Sequence, residues 1–298
     1  MPTIDPESLS PAARVAALAE ALPYVQRLAG QTLVVKYGGA AQVSPELSAA
    51  VTEDLVLLTA IGARVVLCHG GGPAVSEMGR RLGLESRFVD GLRVTDEETM
   101  RVAQQVQVGL ISRDIVAALG RRGGRAVGLS GHDAGGWLRA RPRQHRSQQT
   151  GEAVDLGRVG DIADVRPGIL RGVLDAGMIP VVAPVAVDDD LRSLNVNADS
   201  VATAVAVALG APRLIFLTDV DGIRGPDGDS RARLSAAELA SWIDQGIVTG
   251  GMIPKARACL QAVDGGVRRV TVADGRVPHA LLLELFTDRG VGTLVESA

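Results

Sequence analysis

The chain has 298 residues, a formal net charge of −3 and 46% hydrophobic residues, enough for one large globular unit or two modest ones. Aromatic residues supply only 2%, so the core must be built from Val, Leu, Ile and Ala. The mildly acidic balance without a block of like charge carries no nucleic-acid footprint, and two distant cysteines, Cys68 and Cys259, exclude a disulfide framework or a zinc-ligand pair.

In chain order, "SPAARVAALAEAL" gives residues 1 to about 22 helical character, with Ser10 and Pro11 as its start. "TLVVKY" (32–37) reads as a strand. "SPELSAAVTEDLVLLTAIG" (44–62) reads as a helix with Ser44 as N-cap, Pro45 at its first position and Gly62 as its end. A second strand, "ARVVLCH" (63–69), feeds "GGGPAVSEMGRRLG", the start of another helix. This alternation predicts an α/β protein with a parallel sheet covered on both faces. One long helix is expected over 94–120, capped near Thr95, then a strand at "RAVGLSG" (125–131). Residues 132–166 read as hairpins and loops, including the Arg-rich "RARPRQHR" (139–146), which reads as a solvated hairpin or loop and not a functional basic patch because no aromatic platform accompanies it. A helix (167–177), a strand "IPVVAPV" (179–185), a helix "NADSVATAVAVALG" (197–210) and a strand "RLIFLTD" (213–219) follow. Helices at 235–246, 249–266 and 279–290 and strands at 268–275 and 292–296 complete the chain. No run reaches transmembrane length, and no basic stretch precedes an apolar one at the N-terminus. A cytoplasmic enzyme is the expectation.

Three glycine-rich turns follow strands: "KYGG" (36–39), "HGGGP" (69–73) and "TGGMIPK" (249–255). None has Walker or dinucleotide-binding spacing. Each is either a tight βα turn or a set of backbone N–H groups offered to an anion at a helix start. Lys36 ends an apolar strand, where its stem is packed and its ammonium lies at the carboxyl edge of the sheet, the ligand-binding edge of open α/β folds. Lys255 lies beside the third turn. Phosphoryl transfer asks of a protein mainly positive charge on the moving group, which two such lysines would supply. In "NVNAD" (195–199), Asn197 suits a helix cap and Asp199 suits the dipole, which leaves Asn195 unexplained. Arg93 in "GLRVTD" either pairs with a carboxylate of the fold or is a fork for one on a substrate. Asp219 ends a strand before the turn-rich "VDGIRGPDG", which by itself reads as a β-turn. His69 reads as a structural hydrogen bonder.

The ordered set "VVKYGG", "HGGGP", "DGLRVTD", "NVNAD", "LTDVDGI" and "GMIPK" resembles the amino-acid kinase family, in its acetylglutamate-phosphorylating branch, over about residues 22–296. The resemblance implies a three-layer αβα sandwich on a mainly parallel central sheet. It implies a helical extension at 1–24, an acetylglutamate lobe at 25–187 and an ATP lobe at 188–298 within one continuous domain. The implied reaction moves the γ-phosphoryl of ATP onto the side-chain carboxylate of N-acetyl-L-glutamate, in arginine biosynthesis, with Mg2+ carried by ATP oxygens and no protein metal ligand. Lys36 and Lys255 match the transition-state lysines, Gly38 and Gly39 the glycines on the moving phosphoryl, and Asp199 the aspartate holding both lysines. Gly71, Gly72, Arg93 and Asn195, with Asn197 beside them, match the acetylglutamate binders. Asp219, Val220, Gly222, Ile223 and Arg224 match the nucleotide-binding strand end, with Ile247, Val248 and Thr249 along the adenosine path. The N-terminal helix and "HALLLELFTDRGVGTL" (279–294) resemble the extension and inhibitor-site segment of arginine-inhibited hexamers, trimers of dimers, with Tyr24, His279 and Glu284 as regulatory candidates. A plain amphipathic surface helix is the alternative for the extension.

This chain departs from the family pattern at Ala40, Ala41 and Gln42 after "KYGG" and at His132 after "GLSG". Two other activities fit the motifs: an acetylaminoadipate kinase of lysine biosynthesis, whose substrate is one methylene longer, and a catalytically silent regulatory subunit. A hydrophobic slot separates one methylene by only ~1–3 kcal/mol. The silent subunit predicts loss of Lys36, Lys255 or Asp199, and all three are present.

Overall fold

Alternating residues of the central strands enter two different cores, and this fixes the architecture. Val34, Val66, Leu214, Phe216 and Val270 pack on one side, and Leu33, Val35, Leu67, Ile215 and Leu217 on the other. With both faces buried, the strands read as continuous apolar runs.

The computed structural model describes residues 10–39, 42, 44–147, 150–288 and 290–297. Helix α1 (Pro11–Leu28) leads to β1 (Thr32–Tyr37), α2 (Pro45–Ala60), β2 (Arg64–His69) and α3 (Gly72–Arg81). The hairpin β3 (Phe88–Val89) and β4 (Leu92–Arg93) precedes α4 (Glu97–Gln104), a π-helical stretch Gln105–Ile111 and α5 (Ser112–Arg121). Then come β5 (Ala126–Leu129), β6 (Leu138–Pro142), β7 (His145–Arg146), β8 (Ala153–Val154), β9 (Gly160–Val165) and α6 (Gly168–Asp175). Strands β10 (Ile179–Val182), β11 (Val185–Val187) and β12 (Ser193–Asn195) lead into α7 (Ala198–Leu209) and β13 (Arg213–Thr218). The chain closes with β14 (Arg233–Ser235), α8 (Ala236–Asp244), α9 (Met252–Asp264), β15 (Arg269–Asp274), α10 (Ala280–Leu285) and β16 (Gly292–Glu296).

The main sheet has eight strands in the order β14-β16-β15-β13-β1-β2-β10-β5. Every neighbouring pair is parallel except β15 with β16. One face is covered by α6, α7, α8 and α9, the other by α2, α5 and α10, which makes the three-layer αβα sandwich expected from the motifs. A second sheet, β12-β11-β6-β9, lies beside it.

Several expectations are corrected. Helix α1 runs past Pro23 to Leu28, because Leu28 is buried and Tyr24 stacks on Phe286 at 5.9 Å. The long helix begins at Glu97 and not at 94, and its cap is Asp96, whose carboxylate accepts from the Thr99 N–H at 2.7 Å, while Thr95 is fully buried and its hydroxyl donates to the Arg93 carbonyl. That helix is also interrupted by the π-helical stretch. "IPVVAPV" is not one strand: it breaks before Val185, so β10 joins the main sheet and β11 the second. The Arg-rich run is no free hairpin. Its first half is the interior strand β6, and His145 bonds Asp90 at 2.7 Å while Arg143 pairs with Asp161 at 3.0 Å. Strands β12 and β14 carried no sequence signal. Cys68 and Cys259 are buried and free, and burial pushes both thiols up.

Candidate active site

Strand parity aims Lys36. It lies on the same face as Val34, toward α7 and α9, and in register beside Phe216. The first turn of α7 brings Asp199, and the first turn of α9 brings Lys255, to the same point. Asn197 caps α7, its Oδ1 accepting from the N–H groups of Asp199 at 2.8 Å and Ser200 at 3.1 Å. The Asp199 carboxylate then bridges the two lysines, Oδ1 to Lys36 Nζ at 3.1 Å and Oδ2 to Lys255 Nζ at 2.7 Å. Lys255 Nζ also stands 5.2 Å above the Phe216 ring. These side chains are only 9–14% exposed. Burial alone would push the Asp199 carboxyl up, but Lys36 and then Lys255 hold it below the ordinary carboxylate range. One anion between two cations leaves a net positive charge at the carboxyl edge of the sheet.

The glycine turns close around this centre. A Cβ on Gly38 would stand 2.8 Å from Lys36 Nζ, so any side chain there displaces the ammonium. Gly39 has φ +66, a left-handed conformation that favours glycine, and a Cβ there would stand 3.7 Å from the Asp219 N, just past the end of β13. Gly71 is extended, not left-handed; a Cβ there would meet Ile111 at 2.7 Å and Gln107 at 3.2 Å. Gln42 ties the first two turns together by donating to the Gly70 carbonyl at 3.1 Å. Ala40 and Ala41 lie outside the described residues. His69 is fully buried, and its Nδ1–H donates to the Gly70 carbonyl at 2.8 Å. Burial lowers its pKa to about 4, which fits a neutral structural imidazole.

Lys36, Gly38 and Gly39 line a cleft of about 500 Å3, and two further clefts lie beside the centre, one reaching Ala198 and the other Met252. One, of about 210 Å3, is lined by Gly71, Gly72, Arg93, Asn195 and Asn197, every residue assigned to acetylglutamate. Arg93 is held by neutral acceptors: Ser86 Oγ at 2.7 Å, Ser76 Oγ at 2.7 Å and the Gly72 carbonyl at 2.9 Å, with Phe88 under its guanidinium at 4.7 Å. Among the described residues no carboxylate is within salt-bridge distance of it. Asn195 Nδ2 donates to Thr95 Oγ1 at 3.2 Å. His132 is not in this lining and contacts Ser193 Oγ at 3.3 Å.

The other cleft, of about 350 Å3, is lined by Asp219, Val220, Gly222, Ile223, Arg224, Ile247, Val248 and Thr249. Asp221, within the same loop, lines it too, and sequence reasoning missed two further members, Met252 and Arg276. Arg276 is tied to Asp274 at 2.7 Å, a pairing that only the fold of β15 into its loop reveals. The loop is anchored by the Ile223 N–H donating to Thr293 Oγ1 at 2.7 Å. Among the described residues no group of three His, Cys, Asp or Glu could hold a metal ion.

The regulatory candidates divide. Tyr24 and Glu284 line a cavity of about 280 Å3 with Arg27, Arg213, Arg269 and Asp288. Tyr24 donates to Asp288 Oδ1 at 2.9 Å, so α1 is fastened to the C-terminal segment. Glu284 accepts from Thr271 Oγ1 at 3.1 Å and the Val291 N–H at 3.0 Å. His279 is elsewhere, its Nδ1 on Asp54 Oδ1 at 2.6 Å.

A parallel αβα sandwich with a lysine–aspartate–lysine centre beside these clefts is the frame of a phosphoryl-transfer enzyme, and the chain belongs to the amino acid kinase family, whose sequence model matches residues 31–274. Within that family its likeness is to the acetylglutamate kinases. The chain is 52% identical to acetylglutamate kinase of Symbiobacterium thermophilum over 285 residues, covering 95% of this chain and 97% of that protein. Among solved structures, N-acetylglutamate synthase from Neisseria gonorrhoeae complexed with coenzyme A and N-acetyl-glutamate matches with TM-score 0.83 at 32% identity. That match covers 95% of this chain but 63% of the synthase, so the chain spans less than two thirds of the synthase's length. The same synthase complexed with coenzyme A and L-arginine matches with TM-score 0.80 at 29% identity, over 95% of this chain and 65% of that one.

Proposed function

We propose that the centre formed by Lys36, Asp199 and Lys255 transfers the γ-phosphoryl group of ATP to the side-chain carboxylate of N-acetyl-L-glutamate. The product is N-acetyl-L-glutamyl 5-phosphate, and the step is the second of arginine biosynthesis. The chain is a kinase that uses ATP, as its family membership and its acetylglutamate kinase relatives indicate. One observation carries the assignment of roles: a single buried carboxylate holds two ammonium groups, one from each side, beside glycines of the first turn.

The chemistry follows from charge. A carboxylate is already a nucleophile at neutral pH, so no general base is required. One of its oxygens bonds to the γ-phosphorus, the bond from that phosphorus to the bridging oxygen breaks, and the electron pair leaves with ADP. Charge builds on the equatorial oxygens and on the leaving oxygen. Lys36 with the N–H groups of Gly38 and Gly39 faces the former, and Lys255 faces the latter. Asp199 keeps both lysines fixed, so little reorganisation is needed during transfer. Arg93 takes the α-carboxylate as a fork, with Asn195, Asn197, Gly71 and Gly72 completing the acetylglutamate cleft in the 25–187 lobe. Asp219, Val220, Gly222, Ile223 and Arg224 receive the nucleotide in the 188–298 lobe, and Ile247, Val248 and Thr249 line its adenosine. Mg2+ accompanies the nucleotide, on phosphate oxygens: both oxygens of Asp199 already serve the lysines.

L-Arginine is the proposed feedback inhibitor, bound where Tyr24 and Glu284 share a cavity. The similar N-acetylglutamate synthase from Neisseria gonorrhoeae has been solved in complex with coenzyme A and L-arginine, which supports that reading. The 1–24 extension is proposed to interlace a hexamer, a trimer of dimers, in the cytoplasm; residues 1–9 of it lie outside the described residues. No described helix is long and apolar enough to cross a membrane. The test is hydroxylamine trapping of the acyl phosphate with acetylglutamate and acetylaminoadipate side by side, with and without arginine. Hydroxamate formed faster with acetylglutamate supports the reading. A preference for the longer substrate would assign the chain to lysine biosynthesis, and no hydroxamate with either would overturn it.

A further inference from the structure

Three side-chain amides line the acetylglutamate cleft, those of Asn195, Asn197 and Gln107. Asn195 donates to Thr95 and Asn197 caps α7. Gln107 differs: it is 5% exposed, and among the described residues its Oε1 has no hydrogen-bond partner. A buried amide oxygen without a partner costs stability, and a folded protein rarely keeps one without use. Gln107 also sits on the π-helical stretch Gln105–Ile111, an irregularity that occurs often at functional sites. Its Cγ packs against Gly71, where a Cβ would meet it at 3.2 Å, so the absence of a side chain at 71 is what lets Gln107 reach the cleft.

With Arg93 on the α-carboxylate and Lys36 and the glycines at the side-chain carboxylate, the acetamido group of the substrate is the part left to recognise. It presents one N–H donor, and Val75, Ala103, Val159 and Pro184 offer an apolar wall for its methyl group. We propose that Gln107 is a specificity-determining residue whose Oε1 accepts a hydrogen bond from the acetamido N–H of the substrate. This rests on the assignment of the cleft to acetylglutamate. The free enzyme carries the unmatched amide, and the bound substrate satisfies it.

The experiment is Gln107→Leu, which keeps the size and removes the amide, compared with wild type on two ligands. Glutarate keeps both carboxylates of acetylglutamate and lacks only the acetamido group. The variant is expected to raise KM for acetylglutamate ~10–100-fold. Its KM for ATP and its inhibition constant for glutarate should stay at the wild-type values. Its melting temperature should not fall, because an unmatched buried amide has been removed. An unchanged KM for acetylglutamate, an equal loss with glutarate, or a drop in melting temperature matching the loss of activity would overturn the proposal. Wild-type enzyme that forms no acyl phosphate from acetylglutamate would instead overturn the functional assignment beneath it.

Discussion

Replacing Asp199 by Asn removes one charge and almost no volume, and so isolates what that charge does. Its oxygens lie 3.1 Å from Lys36 Nζ and 2.7 Å from Lys255 Nζ. At an effective dielectric of ~20, each contact is a gross attraction of ~5–6 kcal/mol. Most of that is offset by the cost of taking three charges out of water. Removing one partner of a buried pair nevertheless costs ~3–5 kcal/mol, because the remaining charges stay buried without compensation. With side chains 9–14% exposed, solvent screening discounts this little. The two ammonium groups would then repel each other and leave their positions. We expect turnover to fall ~100–1000-fold, the scale of losing one fixed group that stabilises transition-state charge. The assay is steady-state ADP release at saturating substrates, paired with urea unfolding. Acid stability should respond too. A carboxyl held below its ordinary value stabilises the fold above that value, and the contribution is lost as pH falls through the depressed pKa. Asp199→Asn should lack that part of the acid limb. Turnover equal to wild type would refute the claim that this carboxylate organises the centre.

Lys36→Ala and Lys255→Ala should each lower turnover by orders of magnitude, on the scale of ~100-fold or more, while circular dichroism reports an intact fold. Asp54 is fully buried, and burial raises its carboxyl from 3.8 to about 6 despite the His279 contact. A raised carboxyl binds its proton more tightly in the folded state. The resulting stability is therefore present below pH ~4 and lost as pH rises through about 6, a change of ~3 kcal/mol. Asp54→Asn should flatten that slope in urea midpoints measured between those pH values. Deletion of residues 1–24 removes the Tyr24 contacts to Phe286 and Asp288 and should lower the mass seen by light scattering and weaken arginine inhibition. Unchanged mass would contradict the role given to the extension.

The parts of the centre were legible as local signals, while their meeting at Asp199 was implied only by the family resemblance. A lysine ending an apolar strand, a glycine run and an Asn-x-Asp helix start each carry a physical reason, and strand parity alone aims Lys36. The cleft at the end of β13 was legible only in part: its residues alone read as a strand end followed by a β-turn, and the resemblance supplied the nucleotide role. What was hidden depends on distant packing. Gln107 lies in an ordinary amphipathic helical pattern, and the π-helical turn that carries it leaves no mark in the residue types. Asp54 reads as one more acidic residue on a helix until α10 covers it. Arg276 acquires its place only when β15 ends against the nucleotide loop. Thr95 has the residue type of a cap, and only its burial in the fold leaves the role to Asp96.

The most direct measurement is 31P NMR of the reaction itself. Wild-type enzyme, MgATP and N-acetyl-L-glutamate should give an acyl-phosphate resonance together with ADP, and the resonance should be absent with Lys36→Ala. An acyl phosphate that forms equally well with Lys36→Ala, or no acyl phosphate from the wild type while ADP accumulates, would contradict transfer to the carboxylate at the Lys36–Asp199–Lys255 centre.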